Sequence, residues 1–257
     1  MAENTLSREW MVKPSDCNAN RELPLTLLVA QMIELATDHA NLLGIGFLNM
    51  ETKGLGWVLS RLSLEMSRWP KNGERYSLTT WIESYNSHFS ERCFSVRDES
   101  GAIIGYGRTV WVIIDLNTHK SVGTAGTVMP PEMFAGIECP IPKIMRHKPF
   151  TPSRVSEYVF KYTDIDFYRH VNTVRYISLL VNQFSLEELD SHLISRFEIS
   201  FSREAKYGET AVIESIDEEV AAPYILQQPR TSYKRSLELK INEKTILTSS
   251  FVLSELA

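Results

Sequence analysis

Between Asp164 and Val174 the chain places two carboxylates, a phenol, an imidazole and an amide within eleven positions: Asp164, Asp166, Tyr168, His170 and Asn172. General acid–base chemistry draws on these residue types. Apolar residues run alongside at Val171, Val174, Ile177, Val181 and Phe184, spaced as one face of a buried helix. The cluster therefore sits at the mouth of a core helix, where free backbone N–H groups gather and negative charge is favoured. The plain structural alternative is Asp166 as a helix N-cap followed by a surface loop. Spacing alone does not separate the two.

The elements that must position this cluster can be read on either side of it. A strand is expected over 155–162 and a helix over 171–189. Residues 195–203 alternate Phe197, Ile199 and Phe201 with Glu198, Ser200 and Ser202, and strands over 210–220, 231–241 and 245–253 follow. The first half repeats this order: a short strand at 10–12, a core helix over 25–43 closed by Gly44 and Gly46, and strands over 57–68, 76–84, 89–97 and 102–115. Asp98-Glu99-Ser100-Gly101 reads as the turn of a hairpin. His39 falls on the apolar stripe of the first helix and reads as a hydrogen-bonded core histidine rather than a catalyst. Six of the eleven prolines crowd 121–154, so 131–154 is expected to be an inter-domain connector. Its basic run from Lys143 to Lys148 is either a solvated linker or a patch for an acidic partner.

The halves superimpose as sequence. A shift of 148 pairs Glu9-Trp10-Met11-Val12-Lys13 with Glu157-Tyr158-Val159-Phe160-Lys161, Asp16 with Asp164 and Arg21 with Arg169. After the helix a shift of 135 pairs Ser60-Arg61-Leu62 with Ser195-Arg196-Phe197, Lys71 with Lys206 and Gly73-Glu74 with Gly208-Glu209. This is a duplicated strand–helix–meander unit. A long helix followed by a curved antiparallel meander gives an α+β fold of two tandem hotdog domains, each a sheet wrapped around a long helix. The boundaries expected are 1–130, a connector over 131–154, and 155–257. The repeat fails where chemistry would sit: Asp166 faces Asn18, Tyr168 faces Asn20, His170 faces Glu22 and Glu204 faces Trp69. A cluster needed only for folding would recur in both copies. The second domain is therefore expected to be catalytic, and the first to bind substrate around a degenerate site.

Composition narrows the classes. The 257 residues are 43% hydrophobic with a net charge of −5, and no long basic tract marks a nucleic-acid partner. Cys17, Cys93 and Cys139 lie far apart without C-x-x-C spacing, so no zinc site, disulfide framework or cofactor is expected, and a reducing compartment is. No run approaches the length of a membrane span, and residues 1–12 lack signal-peptide or transit character. A cytoplasmic location is the expectation.

With these segments in view, the chain resembles the acyl-acyl carrier protein thioesterases of bacteria and plants. Asp164-Ile165-Asp166-Phe167-Tyr168-Arg169-His170-Val171-Asn172 is similar to that family's D-L-D-x-N-x-H-V-N segment, and Ile199-Ser200-Phe201-Ser202-Arg203-Glu204 to its L-x-Y-R-R-E segment. His39-Ala40-Asn41-Leu42-Leu43-Gly44-Ile45-Gly46-Phe47, Gly56-Trp57-Val58-Leu59-Ser60-Arg61 and Arg68-Trp69-Pro70-Lys71-Asn72-Gly73-Glu74 fit as well. The resemblance implies hydrolysis of the thioester joining a fatty acyl chain to the phosphopantetheine arm of acyl carrier protein. It places Asp166, His170 and Glu204 on the family's catalytic Asp, His and Glu. The family's Asn falls on Tyr168, so its amide role passes to Tyr168, to Asn172 or to backbone, and the family's Cys falls on Ala205.

On this reading Glu204 and His170 activate water, Asp166 orients the imidazole or the water, and N–H groups at the start of the Val171 helix polarise the carbonyl. A nucleophilic carboxylate with an anhydride intermediate is the alternative. Regular alternation sets Glu204 off the apolar face, so either a bulge near Arg203 or a site on the inter-domain face is expected. The acyl tail is assigned to the first domain, near the 25–43 helix, Trp57, Leu64, Trp81 and Trp111. Arg169, Arg175, Arg203, Lys143, Arg146 and Lys148 are candidate contacts for an acidic carrier protein. Rival readings are an acyl-CoA thioesterase, a hotdog dehydratase and a non-catalytic acyl-binding module. Homodimerisation stays open.

Overall fold

The computed structural model of the chain describes residues 4–124, 129–144, 147–228 and 230–256, apart from the Leu48 side chain. Contacts divide it into two compact units: the chain up to Leu64 with Trp69–Lys143, and Glu65–Arg68 with Ile144 onward.

The first unit comprises β1 (Thr5–Met11), α1 (Leu25–Leu42), a short α2 (Phe47–Glu51), β2 (Leu55–Met66, its last two residues counting with the second unit), β3 (Arg75–Tyr85), β4 (Ser90–Asp98) and β5 (Ile103–Asp115). The strand order is β1-β3-β4-β5-β2, with β1–β3, β3–β4 and β4–β5 antiparallel. The apolar stripe of α1 buries Leu25, Leu28, Met32 and Leu35 as its spacing requires. Polar groups tie the helix to the sheet. Tyr76 Oη donates to Gln31 Oε1 at 2.5 Å, and His39 Nδ1 lies 2.7 Å from an Arg92 guanidinium nitrogen. His39 is thus a bonded core histidine.

The segment expected to be a connector is fastened over much of its first half. Trp81 Nε1 donates to the Ile137 carbonyl at 2.7 Å, the Cys139 amide donates to Glu83 Oε1 at 2.6 Å, and Arg108 reaches the Cys139 carbonyl at 3.1 Å. Residues 134–143 therefore pack as part of the first unit.

The second unit comprises β6 (Arg154–Val159), α3 (Thr173–Val181), α4 (Leu186–Ser191), β7 (His192–Phe201), β8 (Thr210–Glu219), β9 (Ser232–Ile241) and β10 (Lys244–Glu255). The order is β7-β10-β9-β8-β6, with the adjacent pairs antiparallel. Along β7 burial alternates, and Phe197 lies tilted against Phe251 with ring centroids 4.7 Å apart while Phe184 meets Phe251 edge-on at 5.1 Å.

The single helix expected over 171–189 is two helices. Asn182 ends α3, and Ser185 and Glu188 start α4 as a capping box, Ser185 Oγ taking the Glu188 amide at 3.2 Å and Glu188 Oε2 the Ser185 amide at 2.8 Å. The restart delivers Glu188 to the buried Arg235 at 2.6 Å, and Asp217 meets the same guanidinium at 2.7 Å. The strand expected to reach residue 162 stops at Val159, and Tyr162–Asp164 form a 3₁₀ turn.

The repeat holds bond by bond. In the first unit the Val12 amide donates to the Glu74 carbonyl, the Asn18 amide to Glu22 and the Leu23 amide to Pro70. In the second, Phe160 donates to Glu209, Asp166 to His170 and Val171 to Ala205, each at the matching shift. Arg21 and Arg169 share the left-handed conformation, with φ of 59° and 69°. Among the described residues no helix is long and apolar enough to cross a membrane.

Candidate active site

The site lies in the second unit, where the loop entering α3 meets the turn after β7. Asp166 Oδ1 accepts the amides of Tyr168 at 2.9 Å and His170 at 3.2 Å, closing a tight loop. Asp166 is therefore not the cap of α3. Asn172 is, its Oδ1 accepting the Val174 amide at 2.8 Å. Below the loop, buried Asp164 takes the Lys161 amide at 2.8 Å and the Tyr158 hydroxyl at 3.0 Å. Its carboxylate is structural.

The opposing wall is the turn after β7. The amides of Ser202 and Arg203 both donate to the Ile246 carbonyl, at 2.8 and 3.1 Å. Two donors on one acceptor is the hydrogen-bond pattern of a β-bulge, and it falls just past the end of β7 at Phe201. The Val171 amide then donates to the Ala205 carbonyl at 2.9 Å and clamps loop to turn. The result brings His170 Nε2 to 3.2 Å from Glu204 Oε2, two residues from distant stretches of sequence. A carboxylate oxygen accepts and an imidazole N–H donates, so the two side chains are placed to pair in this contact. The imidazole is largely buried and the carboxylate half-exposed, which leaves the pair open to a water-borne substrate.

Other expected residues fall differently. The Tyr168 ring packs on Phe167 with centroids 4.1 Å apart and is 43% exposed. Of the helix-start amides expected to polarise the carbonyl, those of Val171, Asn172 and Val174 are engaged with Ala205, Asp164 and the Asn172 side chain. Beside the loop a groove of about 960 Å³ is lined by Asp166, the cations Arg169, Arg175 and Lys206, and the rings of Tyr162, Phe167 and Tyr207. Lys206 and Tyr207 were not among the sequence candidates. Lys206 matches Lys71 in the other copy and so read as scaffold. Lys143 pairs with Glu91 at 2.7 Å in the first unit, and Arg146 lies outside the described residues.

Each unit, a helix set against an antiparallel sheet of five strands, has the hotdog fold, so the class is a tandem hotdog protein. The chain belongs to the acyl-ACP thioesterase family: the acyl-ACP thioesterase N-terminal domain matches residues 3–132 and the C-terminal domain residues 147–250. Among its relatives, a chloroplastic palmitoyl-acyl carrier protein thioesterase of Gossypium hirsutum is 26% identical over 82% of this chain and 54% of its own length. A chloroplastic dodecanoyl-[acyl-carrier-protein] hydrolase of Cinnamomum camphora is 22% identical over 77% of this chain and 55% of its own. The chain thus spans about half the length of these plant relatives. The crystal structure of an acyl-ACP thioesterase from Bacteroides thetaiotaomicron matches 97% of this chain and 98% of that one, with a TM-score of 0.86 and 28% identity. A 12:0-ACP thioesterase from Umbellularia californica shares the fold at a TM-score of 0.80 and 18% identity, over 100% of this chain and 96% of that one.

Proposed function

We propose that this chain hydrolyses fatty acyl thioesters carried by acyl carrier protein, releasing free fatty acid and the carrier's phosphopantetheine thiol. The observation that carries the reading is the 3.2 Å contact between His170 and Glu204. Water adds to the thioester carbonyl and its proton passes to the His170–Glu204 couple. The tetrahedral intermediate collapses, the C–S bond breaks, and the couple returns the proton to the departing thiolate. A positioned acid–base group of this kind contributes typically ~10²–10⁴-fold. Asp166 orients the imidazole through the loop amides of Tyr168 and His170. Asn172 serves as the cap of α3, and Tyr168 as part of the exposed rim with Phe167. The second domain carries the chemistry, and the first holds the acyl tail against α1 and the strands bearing Trp57, Leu64, Trp81 and Trp111.

The groove beside the loop suits the carrier's arm. Among the described residues Arg169, Arg175 and Lys206 make no ion pair, and the nearest charge of opposite sign lining the groove is Asp166. Three cations beside exposed rings match a phosphodiester followed by an amide-rich chain. A cytoplasmic setting agrees with three free cysteines. Homodimerisation belongs to the same reading and is decided by light scattering.

The test is product analysis over acyl carrier protein substrates of graded chain length, with the matching acyl-CoAs alongside. Free fatty acid from the carrier-bound series, at higher kcat/KM than from CoA, supports the reading. Enoyl product would make the protein a dehydratase. Tight acyl binding without turnover would make it a binding module.

A further inference from the structure

We infer that Tyr176 is a positioning residue that sets Glu204 against His170 by holding the backbone amide of Ala205. This rests on the reading of His170 and Glu204 as the reacting couple.

Ala205 follows Glu204 directly and is fully buried. Both sides of its backbone are held. Its carbonyl accepts the Val171 amide at 2.9 Å, and its own amide donates to Tyr176 Oη at 2.9 Å. Tyr176 cannot drift: its ring is 3% exposed, edge-on to Phe160 at 5.6 Å and tilted against Phe201 at 5.9 Å. Burial pushes the phenol well above its usual range, so it stays a neutral hydroxyl.

The duplication supplies the control. At the position of Ala205 the first copy has Pro70, whose carbonyl takes the Leu23 amide at 2.8 Å. That tie is common to both copies and belongs to the scaffold. Proline has no N–H, so the second tie cannot form there. At the position of Tyr176 the first copy has Leu28, which has no hydroxyl; the Leu28 and Tyr176 amides bond Pro24 and Asn172 at equivalent helix starts. At the position of Glu204 it has Trp69. The hydroxyl, its amide partner and the carboxylate are present together in one copy and absent together in the other. The scaffold folds without this tie. The copy that must aim a carboxylate has it.

A merely structural role would be to satisfy a buried N–H. Two variants of the full chain separate the roles. Tyr176→Phe keeps the ring contacts and deletes the acceptor. Ala205→Pro deletes the donor and keeps the tyrosine, copying a residue the first copy already accommodates. Both are expected to lower kcat on acyl carrier protein substrate by about 10- to 100-fold, the scale of a small misplacement of a reacting group, with KM within about twofold. In both, the imidazole N–H signal of His170, read by NMR, should move in the sense seen for Glu204→Gln. In a Glu204→Gln background neither should lower kcat further. Unchanged kcat in either folded variant, or a His170 signal that Glu204→Gln moves and both variants leave in place, overturns the inference. The NMR comparison needs no turnover. An inactive wild type would therefore sink the thioesterase reading while still deciding the role of Tyr176.

Discussion

Asn18 and Asp166, 148 residues apart, do the same job in the two copies. Asn18 Oδ1 accepts the amides of Asn20 and Glu22 at 3.0 and 2.9 Å; Asp166 Oδ1 accepts those of Tyr168 and His170 at 2.9 and 3.2 Å. An amide closes this loop as well as a carboxylate does. Asp166→Asn should therefore keep the loop, with a stability change within about 0.5 kcal/mol by denaturant titration. It should retain at least tenfold more activity than His170→Ala. Asp166→Ala, which removes the acceptor, should lose about 1–2 kcal/mol and most of the activity. Equal loss of activity in the Asn and Ala variants, with the fold intact, would show that the charge itself acts in the reaction.

Arg92 and Arg235 occupy equivalent places, opposite Ile82 and Asp217 on neighbouring strands. Arg235 is ringed by Asp217 and Glu188, with the Phe184 ring 4.3 Å away. Arg92 meets His39 and Thr80, and burial lowers its guanidinium to about 10. Arg235→Met strands two carboxylates and should cost roughly 2–3 kcal/mol, less than a fully buried pair because both acids are partly exposed. Arg92→Met removes a buried charge and should cost under about 1 kcal/mol or stabilise. Chemical denaturation of both variants checks the order.

The same cluster sets an acid limit. Burial alone would raise the Asp217 and Glu188 carboxyls. At Asp217 Arg235 outweighs it with help from Arg154; at Glu188 the Ser185 amide leads and Arg235 follows, and both carboxyls end below the usual carboxylate range. Groups depressed in the folded state add stability that is complete above their unfolded values near ~4 and lost as pH falls through the folded ones. Unfolding free energy should therefore fall from about pH 4 downward, and Arg235→Met should flatten that limb. An unchanged slope would remove these two acids as its source.

The groove predicts a phosphate effect. Acyl-phosphopantetheine should be used with a KM about tenfold below that of acyl-pantetheine, and Arg175→Glu with Lys206→Glu should erase the difference while kcat holds. Identical KM values for the two substrates in the wild type would remove the groove from substrate binding.

Much of this was legible in the sequence because it is periodic or repeated. The stripe of α1, the alternation of β7 and the shifts of 148 and 135 are short-range signals; the repeat marks His170 and Glu204 as positions where the copies differ, and the family resemblance implies that they share a site. The failures are physical and local. Asn172 outcompetes Asp166 as cap because Asp166 is held by its own loop. The long second helix breaks because Ser185 and Glu188 form a capping box and Arg235 needs Glu188, a contact between residues 47 apart. The proline-rich segment reads as a connector because its anchors, Trp81, Glu83 and Arg108, bond its backbone and leave no pattern in its side chains. Tyr176 gave no signal, since its role is read only by setting Ala205 against Pro70.

The most direct measurement is single-turnover release of fatty acid from acyl carrier protein by the wild type, His170→Ala and Glu204→Gln. The wild type should release one equivalent each of free acid and carrier thiol, and each variant should be slower by about 10²-fold or more while remaining folded. Wild-type rates in folded His170→Ala and Glu204→Gln would contradict the account.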